Sequence, residues 1–134
     1  MKQINIILVL LLVTISSFSQ ALMSNTIYSA DIRFIGNDTT EIMFLCDLDG
    51  EIYQLDNKDN PKFFKKSNTL SYSNSNTNTT VYTWINDNEV QTYIFTKDIG
   101  YSNIYVIYTI VKTQGGEPRY TYGSGDVSEC KKIE

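Results

Sequence analysis

The sequence contains no histidine. This removes the commonest general base, the commonest metal ligand and every Ser-His or Cys-His nucleophile pair at once. Catalysis would have to rest on carboxylates alone, and the densest group is Asp47, Asp49 and Glu51, followed by Asp56 and Asp59. Glycosidases work with two such groups facing each other. Asp47 and Asp49 belong to what reads as a tight turn at Asp49-Gly50, however, and no motif supplies the raised pKa or the cleft that a carboxylic acid catalyst needs. Calcium would use the same acids, since hard cations accept carboxylate and carbonyl oxygens. Neither Asp47-Leu48-Asp49-Gly50 nor Asp56 to Asn60 has the spacing of a calcium loop, and the second precedes Pro61 as an ordinary strand-end loop does. Gly123-Ser124-Gly125-Asp126 lacks the strand-to-helix context of a nucleophile elbow and reads as a flexible turn. We therefore expect no catalytic residues, no metal and no cofactor.

Two cysteines remain as chemistry, Cys46 and Cys130. In an exported chain they are expected to pair, contributing about 2–5 kcal/mol by tying a C-terminal tail, from Ser124 onward, to the strand that carries Cys46. Export is suggested by the first residues. Lys2 precedes an unbroken apolar run from Ile6 to Val13, and small residues at Ser17 and Ser19 occupy the places a signal peptidase reads. The run is shorter than the roughly 18 residues of a membrane span. The reading is a signal peptide over 1–19 and one domain over 20–134, secreted or periplasmic and not held in the membrane after signal removal. Losing Lys2 leaves 10 bases against 15 acids, a net charge of 10 − 15 = −5. The only basic cluster is Lys62, Lys65 and Lys66, which argues against nucleic acid as a partner.

Beyond residue 20 the chain alternates short runs rich in Ile, Val, Tyr, Phe and Thr with clusters of Asn, Asp, Gly and Ser, and no window has helical spacing. This predicts an all-β domain: a small antiparallel meander of about eight strands, closed as a barrel or folded as a two-layer sandwich. The segments fall near 26–35, 40–47, 51–55, 62–72, 80–86, 89–97, 103–113 and 118–123. The polar run Ser71 to Thr80 reads as a mobile loop. A two-residue turn at Asp87 and Asn88 sets Ile85 opposite Val90, Thr83 opposite Thr92 and Val81 opposite Ile94, a face suited to a core. A turn at Gly115 and Gly116 is expected to need three residues, because two would oppose Lys112 and Arg119.

The other face of the same hairpin carries Tyr82, Trp84, Tyr93 and Phe95. Exposed, this row would stack a sugar or a partner's surface; buried, it is half of a core. It is the candidate ligand-binding site. The functional expectation is an exported, non-enzymatic binding or interaction module whose ligand is a protein or a carbohydrate. The alternatives are an inhibitor or immunity-type protein acting on a basic extracytoplasmic hydrolase, and a carboxylate-only enzyme. Intact mass and N-terminal sequencing of the exported protein should find a chain beginning at Gln20 or Leu22; full-length chain in extracted membranes would contradict the leader.

Overall fold

The computed structural model describes residues 25–36, 38–46, 51–55, 61–114 and 116–132. The proposed leader, and Asp47, Asp49, Asp56 and Asp59, lie outside the described residues. The strands are β1 (Thr26–Phe34), β2 (Thr39–Cys46), β3 (Glu51–Gln54), β4 (Phe63–Lys66), β5 (Tyr72–Ser73), β6 (Thr77–Ile85), β7 (Glu89–Asp98), β8 (Ile104–Gln114) and β9 (Glu117–Lys132). Every pairing is antiparallel and follows the order β4-β3-β2-β1-β9-β8-β7-β6-β5, with β4 also joined to β6. The sheet is therefore a closed barrel of eight strands with one extra strand, β5. Of the two architectures open in the sequence, it is the barrel.

The period-2 pattern placed most strands within a residue or two, because turn residues end them locally. Gly36, with φ of 102°, ends β1, and the Phe34 amide donates to the Asp38 carbonyl at 2.8 Å. The β6–β7 hairpin has the register read from sequence, with Ile85↔Val90, Thr83↔Thr92 and Val81↔Ile94. Of its two faces, both apolar in the sequence, the aromatic one lines the barrel interior. Tyr82, Tyr93 and Phe95 point inward and are buried, whereas Ile85 points outward and is 67% exposed. An eight-stranded barrel has an interior just wide enough for side chains to fill, and the large flat rings fill it. Tyr93 is the hub: its ring lies 4.4 Å from that of Tyr108, 4.8 Å from Phe64, 5.6 Å from Phe95 and 5.7 Å from Phe44.

The outer face of β6–β9 is consequently built of β-branched residues in register. One row reads Val81, Ile94, Ile107, Ser124; the next Thr83, Thr92, Thr109, Tyr122; the next Ile85, Val90, Val111, Tyr120. The outer face of β1–β4 is different, with Asp31, Arg33, Glu41, Glu51 and Lys65.

Four further expectations are corrected. The polar run 71–80 is a hairpin: β5 pairs with the start of β6, and the Asn74 side-chain oxygen accepts the amides of Asn76 and Thr77, each at 2.8 Å. Its asparagines are turn chemistry, not looseness. The predicted strand 62–72 is broken by an excursion at Asn68–Leu70, whose two ends are pinned to one residue. The Ser67 amide donates to the Val81 carbonyl at 2.8 Å, and the Val81 amide donates to Ser71 Oγ at 2.9 Å. The turn at Gly116 has two residues, with Lys112 opposite Arg119; both side chains face solvent, where like charges are well screened.

The fourth correction is the tail and its disulfide. Residues from Ser124 onward, including the supposed turn 123–126, belong to β9, which pairs with β8 on one side and β1 on the other. Two ladders supply the order that a cysteine link was expected to supply. Cys46 and Cys130 are not joined. β1 runs between them, since Cys46 faces Thr26 and Thr26 faces Lys132. Two strand spacings, roughly 9–10 Å, exceed the reach of a disulfide. Cys46 is also buried while Cys130 is exposed.

β9 carries glycine where the barrel is tightest. A Cβ at Gly123 would fall 2.5 Å from an Ile32 methyl, and one at Gly125 would fall 2.2 Å from the Asp31 carbonyl oxygen. Opposite them on β8 stand Tyr108 and Val106, so small residues on one strand make room for large ones on the next. Gly125→Ala should lower unfolding free energy by about 1–3 kcal/mol in a urea titration, because the obstacle is backbone. An unchanged midpoint would show that β1 and β9 are not so close.

Candidate functional site

The four members of the predicted aromatic row part company along β6 and β7. Tyr82, Tyr93 and Phe95 are core, and only Trp84 is half-buried, near the end of the barrel where β6 turns into β7. What lies around Trp84 follows from strand parity. Residues of odd number on β7 point inward, so the alternation that buries Tyr93 and Phe95 also turns Gln91 and Glu89 toward the interior. Even numbers point inward on β4, which sends Phe64 into the core and Lys62 into the same end of the barrel.

A buried lysine needs an anion nearby. The side chain of Lys62 is 11% exposed, and its Nζ lies 4.0 Å from Glu89 Oε1. It also lies 4.7 Å from the centroid of the Trp84 ring, in cation–π contact. Lys112 approaches the same Glu89 oxygen at 3.9 Å from the solvent side. Gln91 Nε2 donates to Glu89 Oε1, and the Tyr108 hydroxyl donates to Gln91 Oε1. A polar chain thus runs from the aromatic core, through Tyr108, Gln91 and Glu89, to Lys62 and the face of Trp84. It orients the indole at the barrel end.

Outside this chain, the β4–β6 seam opens into a groove of about 560 Å³. The ladder there has only two rungs, Lys65↔Thr83 and Lys66↔Tyr82, and the strands are unladdered toward Phe63 and Ile85. The walls are Phe63 and Ile85 together with Leu70 from the excursion; Phe63 is 54% exposed, Leu70 59% and Ile85 67%. Trp84 reaches the lining from within, and Lys65 and Lys66 stand at the rim. Among the described residues neither of these two lysines makes an ion pair, although Glu51 lies opposite Lys65 across β3–β4. The groove offers apolar walls, one of them the Phe63 ring, an edge of Trp84 and two ammonium groups.

A second depression, of about 590 Å³, lies on the outer face of β1 and β9. It is polar and contains Asp31, Arg33 and the patch Ser124, Gly125, Asp126 singled out in the sequence. Among the described residues, no group of three or more His, Cys, Asp or Glu side chains is placed to hold a metal ion.

The fold defines a class, the closed antiparallel eight-stranded barrel with a filled interior. Beyond that class, no family model, no curated protein and no solved structure matches the chain.

The sequence identified Trp84 and the basic cluster separately, and their meeting depends on the β4–β6 closure, which joins residues far apart in the chain. Glu89 and Gln91 were missed. Their signal was parity: two polar residues continuing the inward set of Tyr93 and Phe95. Glu89→Ala should lower stability by about 1–3 kcal/mol, since Lys62 keeps its burial and loses its nearest carboxylate. It should also shift Trp84 emission; equal stability and emission would show that the chain from Tyr108 to Trp84 is not made.

Proposed function

We propose that this protein is an exported, non-catalytic binding module that takes a segment of a protein partner in the β4–β6 groove. The ligand is a stretch of apolar side chains accompanied by carboxylates. The observation that carries this reading is a coincidence of place. The one basic cluster of an acidic chain and an exposed apolar groove are the same site, with Trp84 in its lining.

Several features support a protein segment over a sugar. Sugars are held by stacking on an open aromatic face with polar groups at the ring edge, whereas here Lys62 already covers the Trp84 face, the Phe63 ring packs against Tyr53, and the other two walls, Leu70 and Ile85, are aliphatic. Isolated apolar side chains on a surface are ordinary, but Phe63, Leu70 and Ile85 converge around one concavity. Lys65 and Lys66 add attraction for an acidic segment and faster association at low salt.

Trp84 is the only tryptophan, so its emission reports on the groove directly. Titration with a peptide alternating Leu or Phe with Glu should change that emission saturably. The double variant Lys65→Glu, Lys66→Glu should weaken binding at least tenfold, and added salt should weaken it further. Equal response to a peptide with Lys in place of Glu, or no response to either, would overturn the assignment.

A further inference from the structure

Resting on the β4–β6 groove as the binding site, we infer that the partner segment enters it as an extended strand, whose backbone bonds to the open ends of β4 and β6. The observation is a missing rung. In an antiparallel ladder bonded and non-bonded pairs alternate, so one known hydrogen bond fixes which way every backbone group along the strand points. The Asn86 amide donates to the Glu89 carbonyl at 2.9 Å; the even residues of β6 therefore bond β7, and the odd ones point the other way, toward β4 and β5. Three of these odd residues are answered in turn. Thr79 faces Tyr72 and Thr83 faces Lys65, and Val81 is held by Ser67 and Ser71.

Ile85 has no such answer. The Gln54 amide donates to the Lys62 carbonyl at 3.3 Å, which by the same alternation turns the backbone of Phe63 away from β3 and toward β6. Phe63 with Ile85 is thus the rung that follows Lys65↔Thr83 in register, and it is not formed. The Ile85 amide and the Phe63 carbonyl are left facing the groove, with no other partner among the described residues.

The seam has a physical reason to stay open there. Continued in register, Phe64 would stand beside Trp84 at a pair of the closer, non-bonded kind, where two large inward side chains crowd each other. Lys62 Nζ already occupies the Trp84 face. The Phe63 ring is drawn to the β3 side, its centroid 4.8 Å from that of Tyr53, and so does not reach across to Ile85.

Open backbone selects the conformation of its occupant. A helical segment spends its amides on itself and leaves both groups to water. An extended segment brings a carbonyl for the Ile85 amide and an amide for the Phe63 carbonyl, adding to the sheet as a strand adds to an open edge. Alternation along the segment then sorts its side chains. One set lies outside among Phe63, Leu70 and Ile85, and the other turns toward Trp84. Its carboxylates belong at the end that abuts the closed rungs, where Lys65 and Lys66 stand.

Amide hydrogen exchange read residue by residue by NMR tests this, with the peptide alternating Leu or Phe with Glu as the probe. In the free protein the Ile85 amide should exchange about tenfold or more faster than the laddered Thr83 amide, and saturation with peptide should slow it by a similar factor. N-methylation of the peptide, one amide at a time, keeps every side chain and should weaken binding about tenfold or more at one or two positions. Ile85→Pro removes an amide that β7 does not use and should weaken binding more than Ile85→Ala does; should the proline variant not fold, the N-methyl series gives the same answer. Binding with the Ile85 exchange unchanged, with every N-methylated peptide equivalent, or tightened when a side-chain lactam locks the peptide as a helix, would overturn the strand and leave the groove standing. Failure of the parent peptide to bind at all would overturn the groove and the strand together.

Discussion

The packing around Tyr93 is the constraint on which the rest of the molecule depends. Its ring contacts one side chain each from β2, β4 and β8 and another on its own strand, so a single residue ties four walls of the barrel across the axis. A closed sheet of eight strands leaves no second layer to bury against; whatever fills its interior is the core. Filling it with rings forces concessions elsewhere. Ala30 and the two glycines of β9 are small because Phe34, Tyr108 and Val106 are not. Ile85, Val90, Ile94, Ile107 and Val111, which would serve a sandwich core, are left on the outer side of β6–β8.

That exchange explains what the sequence could and could not tell. Strand positions and the β6–β7 register were legible because alternation and turn residues are local. Which face turns inward was not, since both faces of that hairpin are apolar and period alone is symmetric between them. β9 was read six residues long because Gly123 to Cys130 has almost no apolar residue. Its order comes from ladders to β8 and β1, and the partner β1 is distant in sequence. The cysteines failed for the same reason: an even count in an exported chain favours a bond, but topology puts β1 between them.

The site obeys the same logic. Lys62, Lys65 and Lys66 were visible as a cluster, and their meaning was not, because closure of β4 on β6 turns one lysine inward beneath Trp84 and leaves two at a rim. Glu89 compensates the inward one and Gln91 links that pair to Tyr108. The groove is therefore a by-product of how the barrel closes. Its short ladder leaves the apolar ends of β4 and β6 uncovered, and the excursion at Asn68–Leu70 supplies a third wall. The fold is established by the structure, and the functional reading rests on where that closure places charge and apolar surface together.

That the aromatic face of the β6–β7 hairpin turns inward is the claim everything else inherits, and two neighbouring residues test it. Denaturant unfolding of Tyr93→Ala and Ile94→Ala compares one inward side chain with one outward. The barrel predicts a loss of about 3–5 kcal/mol or failure to fold for Tyr93→Ala, against about 1 kcal/mol or less for Ile94→Ala. The opposite ranking would place the aliphatic face in the core and contradict the structure described above.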